Sequence, residues 1–381
     1  MSAIRFLLVV ALGASVHGAI NVPKPRQLPP DFDPSTLPTY NGTGPTMLRF
    51  GCNQLSIDRI DPLVNPGAVP STHQHQIVGG DAFDASMPLS DIAALSQCTT
   101  CSYSADFSNY WTSNLYFRAR NGSYKRVPQF PGRFQPFFGN NTFASTINGG
   151  MLVYYVSPGQ NQLTSFAPGF RMFFGDASLR APPDEPPHWQ QNLSTQTCFR
   201  CYNAPDFGGD DFRPCLDPRV DTMHLPTGPC YGIRSNVLFP TCWDGVTLDT
   251  ADHKSHVAYP VEGPHIFDGI GTAEVCPPSH PVKIPQVMLE INWDTTAFNN
   301  PEDWPEDGSQ PFVLSTGDGT GYSQHADYVF GWRGDSLKVG MEAGCAGADC
   351  PGMATQGMGP ADGCAVGELA GESYDGSNAH R

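Results

Sequence analysis

The sequence predicts a mainly β protein, in the form of a single β-sandwich or jelly-roll-like domain with long disulfide-stapled loops and few short helices. Three observations support this. Short apolar and β-branched segments recur with turn signals between them, helical periodicity is scarce, and no βα unit repeats. Gly (40) and Pro (37) are abundant, while 39% hydrophobic residues are enough to build a core. The chain is therefore a loop-rich globular protein and not a disordered one.

The clearest strand pattern is Val287–Asp294, in which Val287, Leu289, Ile291 and Trp293 alternate with more polar residues and should face the core. Two short helices are predicted, Asp91–Leu95 with Ser90 as N-cap and Ser336–Glu342 with Asp335 as N-cap. The other predicted strands are Leu115–Ala119, Met151–Val156, Phe170–Phe174, Val237–Phe239, Phe312–Leu314 and Tyr328–Trp332.

Four regions follow from composition. Residues 1–18 have the charged start and short apolar core of a signal peptide, which predicts a secreted, extracellular or cell-wall-associated protein. Residues 19–45 form a Pro-rich N-terminal arm, residues 46–345 form the globular domain, and residues 346–381 form a Gly- and Cys-rich tail. No later apolar run is long enough to predict a membrane span.

The 12 cysteines all follow the predicted signal peptide, and their even number in an exported chain favours disulfides. Two CxxC pairs, Cys98/Cys101 and Cys198/Cys201, formally match a four-thiolate zinc site, but their wide separation and an oxidising compartment disfavour it. Connectivity stays open. Four N-glycosylation sequons, each expected in a surface loop, agree with export and begin at Asn41, Asn121, Asn140 and Asn192.

The chain carries 21 Lys and Arg against 37 Asp and Glu, a net charge of −16. Nucleic acid is therefore excluded as a partner for the surface as a whole, although acidity does not exclude a local cationic pocket. The sequence leaves the oligomeric state open.

Several separated segments, in order, resemble one family of secreted, mostly fungal proteins, the domain of unknown function nineteen ninety-six family. The resemblance runs from about Met47 to Met341 and implies a fungal source and an extracellular or cell-wall setting. Some family members carry an added WSC-type carbohydrate-binding module, and no such second module is visible here. The resemblance implies no reaction. The segments are RFGCNQLSIDRIDPLVNPG, THQHQIVGG, TCWDG, DHKSHVAYP, HPVKIPQ, WPEDGSQPFV and TGYSQHADYVFGW.

The segment STHQHQIVGG carries His73 and His75, which point to the same face if the segment is extended. A HxH pair is a recurring arrangement for copper, zinc or iron. The structural alternative is two hydrogen-bonded histidines in a polar loop between strands. We interpret the pair as one wall of a polar cleft and assign no metal; the metal-dependent alternative and the identity of any cofactor stay open.

Two later segments also combine histidine with polar and aromatic residues. In the first, Trp243 can stack on a sugar ring, Asp244 can act as a carboxyl catalyst, Lys254 can neutralise a carboxylate, and His256 lies two positions further on. The structural alternative places Trp243 in the core and Asp244 in a turn.

In the second segment, Asp327 is expected to orient His325 as a general base, with Tyr322 as a donor or second proton carrier. An Asp–His pair that stabilises a loop is the structural alternative. Glu290, on the non-core side of the clearest strand, is a further carboxylate for a glycosidase pair.

These observations predict a carbohydrate-active protein that cleaves or binds a cell-wall polysaccharide by hydrolysis or β-elimination. A non-catalytic wall-associated structural or binding protein is the alternative, and a His-based metal-dependent protein is a second one. The expected catalytic residues are His75, Asp244, His256, Tyr322, His325 and Asp327, and the expected substrate-binding residues are His73, Trp243, Lys254 and Glu290.

Overall fold

The computed structural model describes residues 26–27, 39–40, 46–130, 149–157, 163–182, 197–204, 215, 220–261, 275–344, 346–347 and 350–371. The predicted signal peptide, most of the Pro-rich arm and the end of the tail lie outside the described residues. Among those that are described, no helix has the length and apolar character needed to cross a membrane.

Strands make up most of the regular structure, and the helices are short. The strands are β1 (Arg26–Gln27), β2 (Thr39–Tyr40), β3 (Thr46–Asn53), β4 (Ser56–Asp58), β5 (His75–Gly79), β6 (Asn109–Ser113), β7 (Leu115–Arg118), β8 (Tyr124–Arg126), β9 (Gly150–Ser157), β10 (Leu163–Thr164), β11 (Arg171–Gly175), β12 (Thr197–Tyr202), β13 (Asp221–Thr222), β14 (Gly232–Leu238), β15 (Cys242–Trp243), β16 (Thr247–Asp249), β17 (Val257–Ala258), β18 (Val282–Lys283), β19 (Gln286–Asp294), β20 (Phe312–Leu314), β21 (His325–Val329) and β22 (Ala346–Gly347). The helices are α1 (Ile92–Leu95), α2 (Ser336–Glu342), α3 (Met358–Asp362) and a 3₁₀ turn at Thr296–Phe298.

Two large sheets dominate the architecture. One has five strands in the order β11-β21-β6-β5-β4, and the other has seven in the order β13-β12-β14-β19-β9-β3-β22. Every neighbouring pair is antiparallel except β22 with β3. One buried apolar cluster takes side chains from both sheets, so the two sheets pack as a sandwich, as the sequence predicts.

The alternation predicted for Val287–Asp294 is confirmed, because Val287, Leu289, Ile291 and Trp293 all belong to the cluster between the sheets. The opposite face of the same strand is buried as well, since Met288 packs in a separate apolar cluster with Leu152 and Leu238. A sheet with both faces covered gives a weaker alternation signal than a half-exposed one.

Two local predictions need correction. Helix α1 is capped by Asp91 and not by Ser90, because the Asp91 side chain accepts a hydrogen bond from the Ala93 amide. The last predicted strand, Tyr328–Trp332, is shifted: β21 begins at His325 and ends at Val329. The polar start of β21 hid it, although His325, Ala326 and Asp327 pair with β11 along their whole length.

Disulfides take the cysteines of both CxxC pairs, which confirms that these pairs are not a zinc site. Five bonds have both partners within the described residues, and Cys350 is also oxidised. The bond between Cys98 and Cys364 fixes the tail to the globular domain across 266 residues of sequence. The other four are Cys52–Cys101, Cys198–Cys215, Cys201–Cys230 and Cys242–Cys276.

The Asn121 sequon lies in an exposed turn between β7 and β8, as expected for an acceptor site. The other three sequons, which begin at Asn41, Asn140 and Asn192, fall outside the described residues.

The outer face of the five-stranded sheet is itself buried. Ile77, Trp111, Phe173 and Val329 project from four neighbouring strands into a second apolar cluster, which also contains Cys364 of the tail. Loops and the tail therefore cover this face, and polar side chains on it lie in a desolvated environment.

A chain of polar groups crosses the core between the sheets. The Tyr110 hydroxyl donates to the Asp106 carboxylate at 2.9 Å and lies 2.7 Å from the Tyr155 hydroxyl, which in turn donates to Tyr328 at 2.9 Å. All four side chains are fully buried. Burial raises the pKa of Asp106 to about 7, although hydrogen bonds from Ser108 and Tyr110 oppose the rise.

This raised pKa predicts a pH-dependent stability. The folded pKa of about 7 exceeds the ordinary 3.8, so ionising Asp106 costs the folded state up to about 4 kcal/mol. The cost is absent below about pH 4 and grows until about pH 7. We expect Asp106→Asn to remove it, so the unfolding free energy of the wild type should fall relative to that of the variant between pH 4 and 8 in urea titrations.

The matched control is Asp84→Asn, because Asp84 is exposed. If the unfolding free energies of the wild type and Asp106→Asn changed with pH in parallel, Asp106 would not be neutral in the folded protein.

Candidate metal centre

Three histidines meet at one end of the buried outer face of the five-stranded sheet. His75 begins β5, His325 begins β21, and His73 lies two residues before β5. Strand β6 separates β5 from β21, and its residue Ser113 pairs with His75. Because β5 and β21 are two strand spacings apart, their backbones are separated by about 10 Å. The small Ser113 side chain leaves room for the two imidazoles to lean toward each other above β6.

The ring nitrogens of the three histidines converge. His325 Nε2 lies 3.0 Å from His73 Nε2 and 3.3 Å from His75 Nε2. One nitrogen from each ring lies within 4.8 Å of those of the other two. His75 and His325 are essentially inaccessible, and His73 retains 8% exposure. Any access from solvent is therefore through His73.

Backbone carbonyls fix the orientation of two of the rings by binding the nitrogen that points away from the cluster. His75 Nδ1 lies 2.9 Å from the Ile60 carbonyl, and His325 Nδ1 lies 2.9 Å from the Ser323 carbonyl. Because a carbonyl only accepts, both Nδ1 atoms carry the proton and both Nε2 atoms present a lone pair. His73 Nδ1 lies 3.0 Å from the Thr72 hydroxyl, which can either donate or accept.

The environment favours the neutral form of all three imidazoles. Burial lowers the pKa of each ring below the ordinary 6.5. Repulsion from His75 and His325 lowers the pKa of His73 further, and repulsion from His325 lowers that of His75 further. Neutral imidazole is the form that binds metal ions.

The contact between His75 and His325 favours a positive charge. With both Nδ1 atoms bound to carbonyls, both Nε2 atoms are acceptors at 3.3 Å, and the only other proton at this point is one on His73 Nε2, 3.0 Å from His325 Nε2. A proton on either ring would relieve this, but desolvation disfavours an imidazolium. A metal ion relieves it by bonding to both lone pairs, and these bonds offset its desolvation. In a tetrahedral site with metal–nitrogen bonds of about 2.0–2.1 Å, ligand nitrogens lie about 3.3 Å apart.

No metal is expected here from the sequence alone, whereas the three converging ring nitrogens form a set that could hold one. The deciding residue is His325, because HxH alone gives two ligands and His325 adds a third from a distant strand. Carbonyl partners on the far ring nitrogens are also typical of metal-bound histidine.

A second grouping of potential ligands within the described residues, Cys52, Cys101 and Asp106, does not qualify. The two cysteines form a disulfide and offer no thiolate.

Two buried carboxyl groups lie close to the histidines. Asp61 binds the Leu63 and Val64 amides, and Asp327 faces the same side of the sheet as His325. Burial raises the pKa of both carboxyl groups. Within the described part of the chain, neither oxygen of Asp327 has a hydrogen-bond partner. The expectation that Asp327 orients His325 is therefore wrong, because the Ser323 carbonyl does so.

Lys254 reaches the same place from the loop before β17. Its ammonium lies 4.3 Å from the centre of the Phe173 ring and donates to the Gly175 carbonyl. Gly175 pairs directly with His325, and the Phe173 and His325 rings are 5.8 Å apart. Burial lowers the pKa of Lys254.

Two of the other predicted site residues have structural partners instead. The nitrogens of His256 contact the Arg171 carbonyl at 2.8 Å and the Thr250 hydroxyl at 3.1 Å, so neither is directed to the other histidines. Asp244 accepts from the amides of Val246 and Thr247 in a tight turn, as the structural alternative predicts.

The remaining three predicted residues also lie apart from the trihistidine cluster in their contacts. Trp243 is 1% exposed within the core and donates to the Thr247 carbonyl. Glu290 lies on the outer face of the opposite sheet and accepts from Tyr154. Tyr322 is half-buried in the loop that leads to His325.

Sequence reasoning missed the groups that orient the cluster. The Ile60 and Ser323 carbonyls carry no residue-type signal. Ser113 gave none either, because its small size leaves the space above β6 and its hydroxyl makes only a 3.4 Å contact with His325 Nδ1. Arg59 donates to the Ser71 and Thr72 carbonyls that lead into His73.

A family model described as "Domain of unknown function (DUF1996)" matches residues 61–332 and so spans all three histidines. No curated protein and no solved structure matches the chain.

Proposed function

The chain belongs to this family of unknown function, and on that premise we propose that His73, His75 and His325 bind one divalent first-row transition-metal ion at the working centre of a secreted carbohydrate-active protein. The observation that carries the proposal is the 3.3 Å contact between the Nε2 atoms of His75 and His325, both unprotonated because their Nδ1 atoms are bound to carbonyls.

The ligand set supports a reactive centre. Three protein ligands leave a fourth position for water or substrate, as in zinc enzymes of the His₃ type, where the ion polarises an oxygen or lowers the pKa of bound water to about 7. Three imidazoles suit zinc, copper, nickel, cobalt or iron(II). Calcium and magnesium prefer oxygen ligands and are disfavoured.

This proposal changes the expected role of His325. Its Nδ1 is bound to Ser323 and its Nε2 is directed at the metal position, so it has no nitrogen left to act as a general base. Lys254, Asp61 and Asp327 are titratable groups that could serve in proton transfer or charge stabilisation next to the ion.

Carbohydrate as the substrate class rests on three supports: the predicted export signal, the disulfides expected of an oxidising compartment, and the family resemblance with its wall-associated setting. Hydrolysis by a metal-bound water and β-elimination with Lys254 next to a uronate carboxylate are the two reactions that the site can support.

We expect the protein purified from a secreting host without an affinity tag to contain about one equivalent of transition metal by elemental analysis. His73→Ala and His325→Ala should each weaken metal binding by more than about 100-fold, which exceeds the 10–100-fold effect typical of losing an outer partner.

The control is His224→Ala, because His224 is exposed and binds the Leu225 carbonyl. Metal-free wild type that also fails to take up zinc, copper, nickel or cobalt would contradict the proposal. Equal binding by the wild type and both site variants would do so too.

Ser113 makes no metal bond in the proposed site, so substitutions there test the geometry of the site without removing a ligand. Ser113→Leu should fill the space above β6, push the imidazoles of His75 and His325 apart and abolish binding of about one equivalent of Co²⁺, measured by its visible absorption. Ser113→Ala keeps the space and removes only the 3.4 Å contact of the hydroxyl with His325 Nδ1, which the Ser323 carbonyl still holds, so it should still bind about one equivalent of Co²⁺. Circular dichroism of both variants separates loss of the site from loss of the fold.

The proposed activity can be measured on polysaccharides. Metal-loaded protein should release reducing ends or unsaturated uronate from at least one member of a cell-wall polysaccharide panel, and His73→Ala should not. Polysaccharide binding without turnover, unchanged in His73→Ala, would favour the alternative of a non-catalytic wall-associated protein.

A further inference from the structure

Three cationic side chains surround the trihistidine cluster in a chain that is otherwise acidic. The positive charges of Arg59 and Arg180 act on His73, and that of Lys254 acts on His325. Only 21 of the 381 residues are Lys or Arg. Their convergence on one point needs an explanation, because a bound metal ion would itself repel cations.

The surrounding backbone holds each cation in place. Arg59 donates to the Ser71 carbonyl at 2.6 Å, directly before His73, and Lys254 donates to Gly175, the β11 partner of His325. Arg180 donates to the Thr316 carbonyl at 2.8 Å.

Hydrogen bonds through Thr316 connect Arg180 to the loop that orients His325. Its hydroxyl lies 2.6 Å from that of Ser323, whose carbonyl orients His325. Since the contacts of Arg180 are with carbonyl groups, its charge is not cancelled by them.

Lys254 and Arg180 are not neutralised by a direct ion pair. Within the described residues their hydrogen bonds are to backbone carbonyls, and neither nitrogen group forms a salt bridge with a carboxylate. Asp176 and Asp252 act on Lys254 only from beyond that range. A divalent ion bound by the histidines would add to these two positive charges, and an anion between the two side chains would neutralise them.

We propose that the centre binds an acidic sugar, with the carboxylate of a uronic acid residue at the open side of the metal between Lys254 and Arg180. This deepens the function proposed above and rests on it. The approach is from the side of Thr72 and Arg180, which are both exposed, and Lys254 is half-buried beside His325. A lysine and an arginine fixed by backbone carbonyls recognise a carboxylate with little further ordering cost.

The experiment uses the full-length protein loaded with Cu²⁺. Galacturonate, glucuronate and oligomers of each are titrated in while the visible absorption and electron paramagnetic resonance of the copper are followed. A uronate should shift these spectra with saturation, and galactose and glucose at the same concentration should not. Lys254→Gln and Arg180→Gln should each weaken the uronate response by at least about 10-fold.

The matched control is Lys338→Gln, which removes a cation from helix α2, on the part of the chain that packs against β3 and β9. It should respond like the wild type. The copper content of every variant is measured before any sugar is added. A protein that binds no metal contradicts the function proposed above, whereas one that binds metal but shows no uronate response contradicts only this inference.

Three further outcomes would overturn the assignment to a uronate. One is an equal response to galactose, and another is an equal response to acetate at the same concentration. The third is tighter binding of inorganic phosphate or sulfate than of any uronate.

Discussion

The site depends on two hydrogen bonds to main-chain oxygens. The Ile60 and Ser323 carbonyls each accept a hydrogen bond from the Nδ1–H group of an imidazole. This tautomer leaves a lone pair on both Nε2 atoms, and both lone pairs point toward one position. The rings are buried and neutral, so the remaining repulsion has no solvent to screen it. A cation at that point would stabilise an arrangement that is unfavourable in its absence.

The sandwich provides the rigidity for this arrangement. Its five-stranded sheet has an apolar core on one face and a second apolar cluster, closed by the disulfide-linked tail, on the other. A site on buried strands is held more precisely than one on mobile loops. The same closure makes His73 the most accessible of the three ligands, because the other two lie under covering segments.

Most of the fold could be predicted from the sequence, because alternating apolar residues in Val287–Asp294 and the turn residues between strands report on local geometry. The site could be predicted only in part. His73 and His75 were recognisable as a pair, and the segment containing His325 was identified, but nothing local shows that β21 lies beside β6 and brings His325 to them. Trp243, Asp244 and His256 were attractive by residue type, yet their hydrogen bonds are used within the fold. Residue type shows what a side chain can do, whereas the long-range pairing of strands decides which side chains meet.

Alternate residues of strand β5 and of the segment before it face opposite sides of the sheet and differ in type, histidine on one side and glutamine on the other. His73 and His75 project to the outer face, whereas Gln74 accepts from Asn114 and Tyr116, and Gln76 accepts from Gln129 next to the opposite sheet. A slip of the β5 register by one residue would exchange the two sets, sending imidazoles toward the core and amides to the metal position. Single-residue insertions or deletions in this strand are therefore far less tolerable than substitutions. In the evolution of this family, we expect the length of the segment to be under stricter selection than most of its individual side chains.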